Sequence, residues 1–162
     1  MATTAVKLAT RVAAVGDLAE LVALYRRFRE DVASERGADV HLSREAFVEP
    51  LEALMDTIVR DQGRLALLGL LDEVPVGIAI GRIEELADSS RLAIVEVLYV
   101  DEPAREVGVG ECLLASLVEW AGANGADGID VQVLPGMRQA KNFLEGSRFA
   151  ARLLVMHRNL KR

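Results

Sequence analysis

The stretch Arg105-Glu-Val-Gly-Val-Gly110 decides the fold prediction, together with the residues on either side of it. A β-branched apolar segment, Ile94-Val-Glu-Val-Leu-Tyr-Val100, precedes it, and an amphipathic segment, residues 111–121, follows. This order predicts a strand, a glycine turn and the first turn of a helix. Backbone N–H groups then converge beside the positive end of the helix dipole, so the turn is predicted to bind an anionic group such as a phosphate.

The glycine spacing excludes two common phosphate-binding loops. A Walker A loop would place Lys and then Ser or Thr after Gly110, and a dinucleotide loop would place a third glycine at Leu113. The pattern present is Arg-x-x-Gly-x-Gly, entered from Leu98-Tyr-Val-Asp-Glu-Pro103. It resembles the pyrophosphate loop of the GNAT superfamily of acyl-CoA-dependent N-acyltransferases. An ordinary glycine-rich connection between a strand and a helix is the alternative interpretation.

Length and composition restrict the class of protein. The chain has 162 residues, of which 51% are hydrophobic, and we expect a single domain over residues 1–162. A formal charge of −6 argues against nucleic acid as a partner. The first ten residues hold no apolar run long enough for a signal peptide, and no stretch approaches the roughly 18–20 apolar residues of a membrane span, so we expect a cytoplasmic protein without membrane contact. Cys112 is the single cysteine, and no metal-ligand spacing is present, so neither a disulfide nor a metal is predicted.

Hydrophobic periodicity predicts the element order β-αα-βββ-α-β-α-β. The fold class is therefore α/β (α+β), with a mixed, mostly antiparallel central sheet and helices on both faces, as the GNAT resemblance also implies. Strands are predicted at Leu8–Val15, Arg64–Leu71, Val76–Glu84, Leu92–Val100, Ile129–Leu134 and Leu153–Asn159. Helices are predicted from Asp17 to near Gly37, from Ser43 to Ile58 with a break at Pro50, after the glycine turn, and around Arg138–Glu145.

One predicted strand carries bulky side chains on only one of its faces. Gly77, Ala79 and Gly81 alternate with Val76, Ile78 and Ile80. The nearly bare face leaves room either for a ligand or for close packing of a helix, and the sequence alone does not choose between these two.

Glu96 is the candidate catalytic residue. It stands in an otherwise apolar strand, where the alternation places it with Leu98 and Val100, and burying a carboxylate there is costly without a partner or a function. Burial would raise its pKa towards the range that suits proton transfer. The resemblance implies that a glutamate in Glu-x-Leu-Tyr-Val acts as the general base or orders a water. The alternative is a glutamate that reaches solvent or pairs with an arginine.

The general acid that the resemblance implies is missing from this chain. The later GNAT motif Asn-x-x-Ala-x-x-Phe-Tyr-x-x-x-Gly-Phe aligns with residues 137–149, where its tyrosine protonates the leaving thiolate. Ala140, Phe143 and Phe149 match the motif, whereas Met137, Leu144 and Arg148 replace its Asn, Tyr and Gly. The replacement raises the alternative of a domain that binds acyl-CoA without turning it over.

The resemblance also implies a set of residues that bind acetyl-CoA. Backbone of Leu98, Tyr99 and Val100 would pair with the pantetheine arm. The pyrophosphate would bind at Arg105, Glu106, Val107, Gly108, Val109, Gly110 and Glu111, and Asn142 would also contact the cofactor. The acceptor would be the primary amine of a small molecule or of a protein, and homodimers are frequent in the family. The two rival readings are a non-catalytic acyl-CoA-binding or regulatory domain and an interaction module without CoA affinity.

Overall fold

The computed structural model of this chain describes residues 6–161, in which a five-stranded sheet carries helices on both faces. The strands are β1 (Leu8–Val12), β2 (Arg64–Leu71), β3 (Val74–Glu85), β4 (Arg91–Val100) and β5 (Gly128–Val131). The helices are α1 (Leu18–Ala33), α2 (Ala38–Glu45), α3 (Leu51–Arg60), α4 (Val109–Ala123) and α5 (Arg138–Gly146). The predicted mixed α/β class is confirmed.

The sheet follows the order of the chain, β1-β2-β3-β4-β5. The first three pairings are antiparallel, and β5 lies parallel to β4. The hairpin between β2 and β3 turns through Asp72 and Glu73, whose φ angles are 48° and 70°. Such two-residue turns with positive φ match the twist of the flanking strands.

The period of two along each strand divides the core into two clusters. Ala66, Leu68, Ile78 and Ile80 face α1 and α3. The intervening residues, such as Leu67 and Ala79, face α4. Each face of the sheet therefore has its own helical layer, and a side chain's position along a strand determines which layer it meets.

Helix α4 covers the bare face of β3, so the helix-packing alternative is the correct one. A Cβ added at Gly77 would lie 3.0 Å from the Leu113 Cδ1 atom, and one added at Gly81 would lie 3.1 Å from the Leu117 Cδ2 atom. On β2, a Cβ at Gly69 would lie 2.7 Å from the Val109 side chain. The glycines let α4 approach the sheet closely, which fixes where the first turn of α4 lies.

Strand β4 contains a bulge at Glu96. Val95 lies opposite Gly81 and Val97 lies opposite Ile80, so Glu96 is an extra residue without a partner on β3. A bulge reverses the alternation of side chains beyond it. The part of β4 that follows Glu96 therefore faces the opposite way to what strict alternation predicts.

The helical region before β2 differs from the prediction mainly in its boundaries. The first helix ends at Ala33 rather than near Gly37, and Gly37, with φ +86°, instead precedes the second helix. The break around Pro50 is confirmed, because α2 and α3 are separate helices on either side of it. The second helix begins at Ala38, five residues before the predicted start at Ser43.

The prediction of a final strand at Leu153–Asn159 is wrong. These residues form no strand, and their side chains are exposed. Strand β5 also ends at Val131, three residues before the predicted end at Leu134. Both segments have strand-like sequences, but neither has a neighbouring strand to pair with in the described structure. Among residues 6–161, no helix is both long and apolar enough to cross a membrane.

The packing of α4 can be tested with two alanine substitutions of opposite effect. Gly69→Ala should destabilise the protein by about 1–3 kcal/mol, because the new methyl group overlaps Val109 and Leu113 in a filled core. Gly122→Ala, in α4 with no atom within 4 Å of the added Cβ, should stabilise by about 0.5–1 kcal/mol. Urea unfolding measures both, and a neutral or stabilising Gly69→Ala would contradict the close approach.

Candidate functional site

The glycine turn ends in the first turn of α4 with the geometry of an anion site. Gly108 adopts φ +103°, which side chains other than glycine rarely adopt, and α4 begins at the next residue. The first helical hydrogen bond runs from the Cys112 N–H to the Gly108 carbonyl oxygen at 3.1 Å. The N–H groups of Val109, Gly110 and Glu111 therefore have no acceptor within the helix. They point out of its positive end, where an anion is favoured.

Helix α5 flanks this turn. A Cβ added at Gly110 would lie 3.6 Å from the Phe143 ring, which is ordinary contact distance. The neighbouring Leu144 is 6% exposed and belongs to the core, whereas Asn142 is exposed. The position that the resemblance assigns to an acidic tyrosine is thus filled by a buried apolar side chain.

The Arg105 side chain braces the turn from within the protein. Its Nε donates to the Val100 carbonyl oxygen at 2.9 Å, and its Nη2 donates to the Asp31 carboxylate at 3.1 Å. The guanidinium also lies over the Tyr99 ring, 5.6 Å from the centroid. These hydrogen bonds use two of the five guanidinium N–H donors and fix the side chain against the turn, so the structure gives Arg105 a positioning role there.

Helix α1 holds both ends of the segment that connects β4 to the turn. Arg27 donates two hydrogen bonds to the Asp101 carboxylate, at 2.8 and 2.9 Å, while Asp31 accepts from Arg105. We call these two ion pairs the clamp. Arg27 and Asp31 lie four positions apart on α1, and they contact Asp101 and Arg105, which lie four positions apart on the segment and carry the opposite charges. The clamp was not predicted, although both four-residue charge spacings are visible in the sequence.

The edge of β4 that faces β5 is open beyond Val95. Strand β5 pairs only with Leu92–Val95, so residues 96–100 have no strand on this side within the described structure. This places Leu98, Tyr99 and Val100, whose backbone the resemblance assigns to the cofactor, beside a gap that ends at the glycine turn. An extended chain lying in this gap would find unpaired backbone groups along β4.

The Glu96 side chain lies on the α1 side of the sheet, between two arginines. Its carboxylate accepts a hydrogen bond from Arg64, and the Arg82 Nε lies 3.5 Å from its other oxygen. The arginine-pairing alternative for Glu96 is therefore observed. Leu98 and Val100 belong to the cluster on the α4 side. The prediction that Glu96 shares its face with them is wrong, because of the bulge.

The environment of Glu96 shifts the pKa of its carboxyl group. Its side chain is 19% exposed. Burial raises the pKa of this carboxyl above its ordinary value, while the charges of Arg64 and Arg82 oppose the rise. Burial disfavours the charged form and so pulls the pKa towards the range in which a carboxylate exchanges protons effectively. The Arg64 Nε atom is buried and has no hydrogen-bond partner.

Aromatic rings line the space around this ion pair. The Arg64 guanidinium lies 5.6 Å from the Phe47 ring, which stacks on Tyr25 with centroids 4.9 Å apart. Phe28 packs between Tyr25 and Tyr99. Burial raises the pKa of both tyrosine hydroxyls above the ordinary value, so both remain protonated at neutral pH. The aromatic rings therefore form an apolar surface beside the paired carboxylate of Glu96.

The sequence analysis identified Glu96 but missed its two partners. Arg64 begins an apolar strand, and Arg82 continues the alternation of Ile78 and Ile80 on β3. The alternation along β2 and β3 therefore predicts that both arginine side chains lie on the face of the sheet that α1 and α3 cover. Only the pairing of β2 with β3, which sets Arg64 opposite Arg82, and the bulge in β4 bring them to one carboxylate.

Two surface pockets of the structure lie away from the candidate site. A shallow pocket of about 390 Å³ lies between α1 and α3, and another of about 260 Å³ lies against β1 and β2. Neither is lined by Glu96 or by the glycine turn. In the described part of the chain, no three His, Cys, Asp or Glu side chains are grouped so as to hold a metal ion.

Comparison with known proteins identifies relatives at the level of family and fold. Residues 19–147 match the Acetyltransferase (GNAT) family. No curated protein matches the sequence. A variant of the BH1408 protein from Bacillus halodurans is 21% identical, with a TM-score of 0.81 over 94% of this chain and 99% of that one.

Two aminoglycoside acetyltransferases have similar structures. One, from an uncultured soil metagenomic sample and in complex with trehalose, is 20% identical, with a TM-score of 0.71 over 97% of this chain and 96% of that one. The other, AAC(6')-Iy in complex with CoA, is 17% identical, with a TM-score of 0.72 over 99% and 100% of the two chains. At these identities the similarity establishes the fold alone.

The arrangement around Glu96 predicts how its pKa responds to substitution. Arg64→Met should raise the pKa of the Glu96 carboxyl further, because it removes the nearer of the two positive charges that oppose the effect of burial. Arg82→Met should raise the pKa less, since Arg82 is 3.5 Å away and also donates to Glu84. NMR titration of the labelled carboxyl measures both shifts. An unchanged or lowered pKa in Arg64→Met would contradict the assignment of this ion pair.

Proposed function

The chain belongs to the GNAT acetyltransferase family, and we propose that it transfers an acetyl or short acyl group from acetyl-CoA to a primary amine. The proposal rests on one observation: the glycine turn, which has the geometry of an anion site, follows β4 directly, and the edge of β4 beyond Val95 has no paired strand. The two features are continuous, so one ligand with an anionic end and an extended arm can occupy both. We take residues 1–162 to act as a single domain.

In this proposal the cofactor's pyrophosphate binds at residues 106–111. The N–H groups of Val107, Gly108, Val109 and Gly110 donate to it, with that of Glu111, while Arg105 holds the turn in shape from behind. Asn142 lies exposed on the flanking helix, where it can contact the cofactor.

The pantetheine arm then runs along the open edge of β4, past Val100, Tyr99 and Leu98. Val100 lies four positions after Glu96, which is about 13 Å of extended strand. The arm therefore leads the thioester from the glycine turn towards the carboxylate.

Glu96 acts as the general base in this proposal. It accepts a proton from the ammonium form of the acceptor, directly or through a water, so that the neutral amine attacks the thioester carbonyl. An unpaired N–H on the edge of β4 donates to the oxyanion that forms. The C–S bond then breaks, the CoA sulfur leaves as a thiolate, and the nitrogen of the new amide loses its surplus proton to that thiolate or to water. Leu144 supplies no proton, but a thiol is acidic enough to leave without one.

The acceptor is the amine of a small molecule or of a protein. The formal charge of −6 suits a cationic amine better than an anionic one. Since two of the structures with this fold are named as aminoglycoside acetyltransferases, aminoglycosides belong in the first set of acceptors to be assayed. Nucleic acid and membrane are not part of the proposal, whereas a homodimer is.

A second candidate function is a domain that binds acyl-CoA without catalysis. The buried Leu144, in place of a tyrosine, favours it. Pairing of Glu96 with Arg64 favours it too, because a carboxylate held in an ion pair is a weaker base. The two candidates share the cofactor site and differ only in turnover.

Substitutions at the two glycines test the cofactor site. Gly108→Val should weaken acetyl-CoA binding about tenfold or more, because a φ of +103° costs a non-glycine residue about 1–2 kcal/mol and the turn must otherwise change shape. Gly110→Ala should bind nearly normally, since the added Cβ meets nothing closer than 3.6 Å. Calorimetric titration measures both affinities, and unaltered binding by a folded Gly108→Val protein would refute the site.

Substitution of Glu96 separates the enzyme from the binding domain. Glu96→Gln should lower the rate of amine-dependent CoA release roughly 10²-fold while leaving acetyl-CoA affinity unchanged. Glu84→Gln is the matched control, because Glu84 also pairs with Arg82 but is not the proposed base. Its rate should stay within about twofold of the parent rate, since an exposed ion pair contributes little. Full activity in Glu96→Gln would remove Glu96 from the mechanism.

A further inference from the structure

Arg29 on α1 is a half-buried arginine whose side chain has no partner in the described part of the chain. The partly buried arginines among residues 6–161 are Arg29, Arg64, Arg82 and Arg105. Each of the other three pairs with a carboxylate, whereas within that range the Arg29 guanidinium has neither an ion pair nor a hydrogen bond. A guanidinium carries five donors, and partial burial is costly when they lack an acceptor. The position of Arg29 is therefore explained by an anion that the chain itself does not supply.

The carboxylate of Glu49 does not fill this role. The Leu51 N–H and the Arg26 guanidinium donate to it at 2.9 and 3.1 Å, and these two contacts are the main causes that lower the pKa of Glu49. Arg29 acts on Glu49 only through its charge and without a hydrogen bond. An anionic ligand at Arg29 would therefore not have to displace an existing partner.

Arg29 lies beside the aromatic rings that border Glu96. It follows Tyr25 by four positions on α1, so the two side chains are neighbours on one side of the helix. The Tyr25 ring stacks on Phe47, and its hydroxyl accepts from the Phe47 N–H at 2.7 Å. The Arg64 guanidinium, which pairs with Glu96, lies 5.6 Å from the centre of the same Phe47 ring. A continuous series of contacts therefore leads from the neighbour of Arg29 to the proposed base.

The Tyr25 hydroxyl lies within reach of both charges. Burial is the largest cause that shifts the pKa of this hydroxyl upwards. Of the two charged groups that act on it, Arg29 lowers the pKa and Glu96 raises it. Because such effects fade over about 10 Å, a cationic and an anionic side chain both lie near one hydroxyl. The partly exposed rings of Phe28 and Phe47 adjoin it as apolar surface.

We propose that the acceptor is an amino acid with an apolar side chain, which binds its carboxylate to Arg29 and presents its amine to Glu96. The inference rests on the acyltransferase function proposed above and names the class of its acceptor. A guanidinium matches the geometry of a carboxylate and can donate two parallel hydrogen bonds to it. The aromatic rings then pack against the apolar side chain.

The overall charge of the protein does not oppose such an acceptor. An amino acid with an apolar side chain is a zwitterion without net charge at neutral pH, so the formal charge of −6 neither attracts nor repels it. The local charges orient it, because its carboxylate is attracted to Arg29 and its ammonium group to Glu96. An aminoglycoside has amines but no carboxylate, so it would leave Arg29 unpaired. The inference therefore ranks amino acids above aminoglycosides as acceptors.

The first test compares acceptors that differ only in the carboxylate, with acetyl-CoA as donor. L-Phenylalanine with phenethylamine is one such pair, and L-leucine with isopentylamine is another. For the better pair, kcat/KM of the acid should exceed that of the amine about tenfold or more, as expected for a charge-assisted hydrogen bond. Arg29→Met should reduce this ratio to about one. Arg29→Lys, which keeps the charge, should retain part of the preference.

Arg26→Met is the matched control. Arg26 is an exposed arginine on the same helix, and it pairs with Glu49. The ratio between acid and amine should therefore stay within about twofold of the parent ratio. An unchanged ratio in Arg29→Met, or acylation of the amines as fast as of the acids by the parent protein, would overturn the inference while leaving the acyltransferase function intact.

A binding measurement separates the inference from the catalytic proposal. NMR of the arginine Nε–H groups during titration with L-phenylalanine or L-leucine should show a saturable shift of the Arg29 signal, which the matching amines do not cause. If this signal shifts but no CoA is released from acetyl-CoA, the carboxylate site stands and the acyltransferase function fails. If neither amino acid shifts the Arg29 signal saturably at millimolar concentration, the inference is overturned.

Discussion

The close approach of α4 to the glycines of β2 and β3 is the constraint on which the rest of the site depends. Gly69 and Gly77 leave room for Val109 and Leu113, so the first turn of α4 lies directly against the sheet. The N–H groups of that turn are consequently held at the end of β4, next to its open edge. A larger side chain at either glycine would displace the helix, and the anion site would move with it.

The bulge at Glu96 provides the second half of the site. Without the extra residue, strict alternation would place Leu98 and Val100 on the same side as Glu96. With it, the strand presents a carboxylate to the aromatic wall under α1 while its following residues return to the α4 cluster. The charge is tolerated in this half-buried place because Arg64 and Arg82 lie on the two adjacent strands. The same contacts make Glu96 both the best candidate base and a structural ion-pair partner.

Apart from the final strand, the sequence predicted the strands and helices, the fold class and the position of the glycine turn, because these depend on local periodicity and turn chemistry. It did not predict the pairs Arg64–Glu96 and Asp31–Arg105, which join elements far apart in the chain. The bulge was also missed, since nothing in a run of apolar β-branched residues marks where the register slips. Residues 153–159 were predicted as a strand on their composition, but a strand also requires a neighbouring strand to pair with, and composition does not supply one.

The central claim is that the glycine turn and the open edge of β4 form one binding site for acetyl-CoA. Backbone amide NMR during titration with acetyl-CoA tests it most directly, because it reports on both parts at once. We predict saturable shifts at Gly108, Val109 and Gly110 together with shifts along residues 98–100. Saturable shifts confined to other parts of the chain, or the absence of saturable shifts at millimolar ligand, would contradict the account.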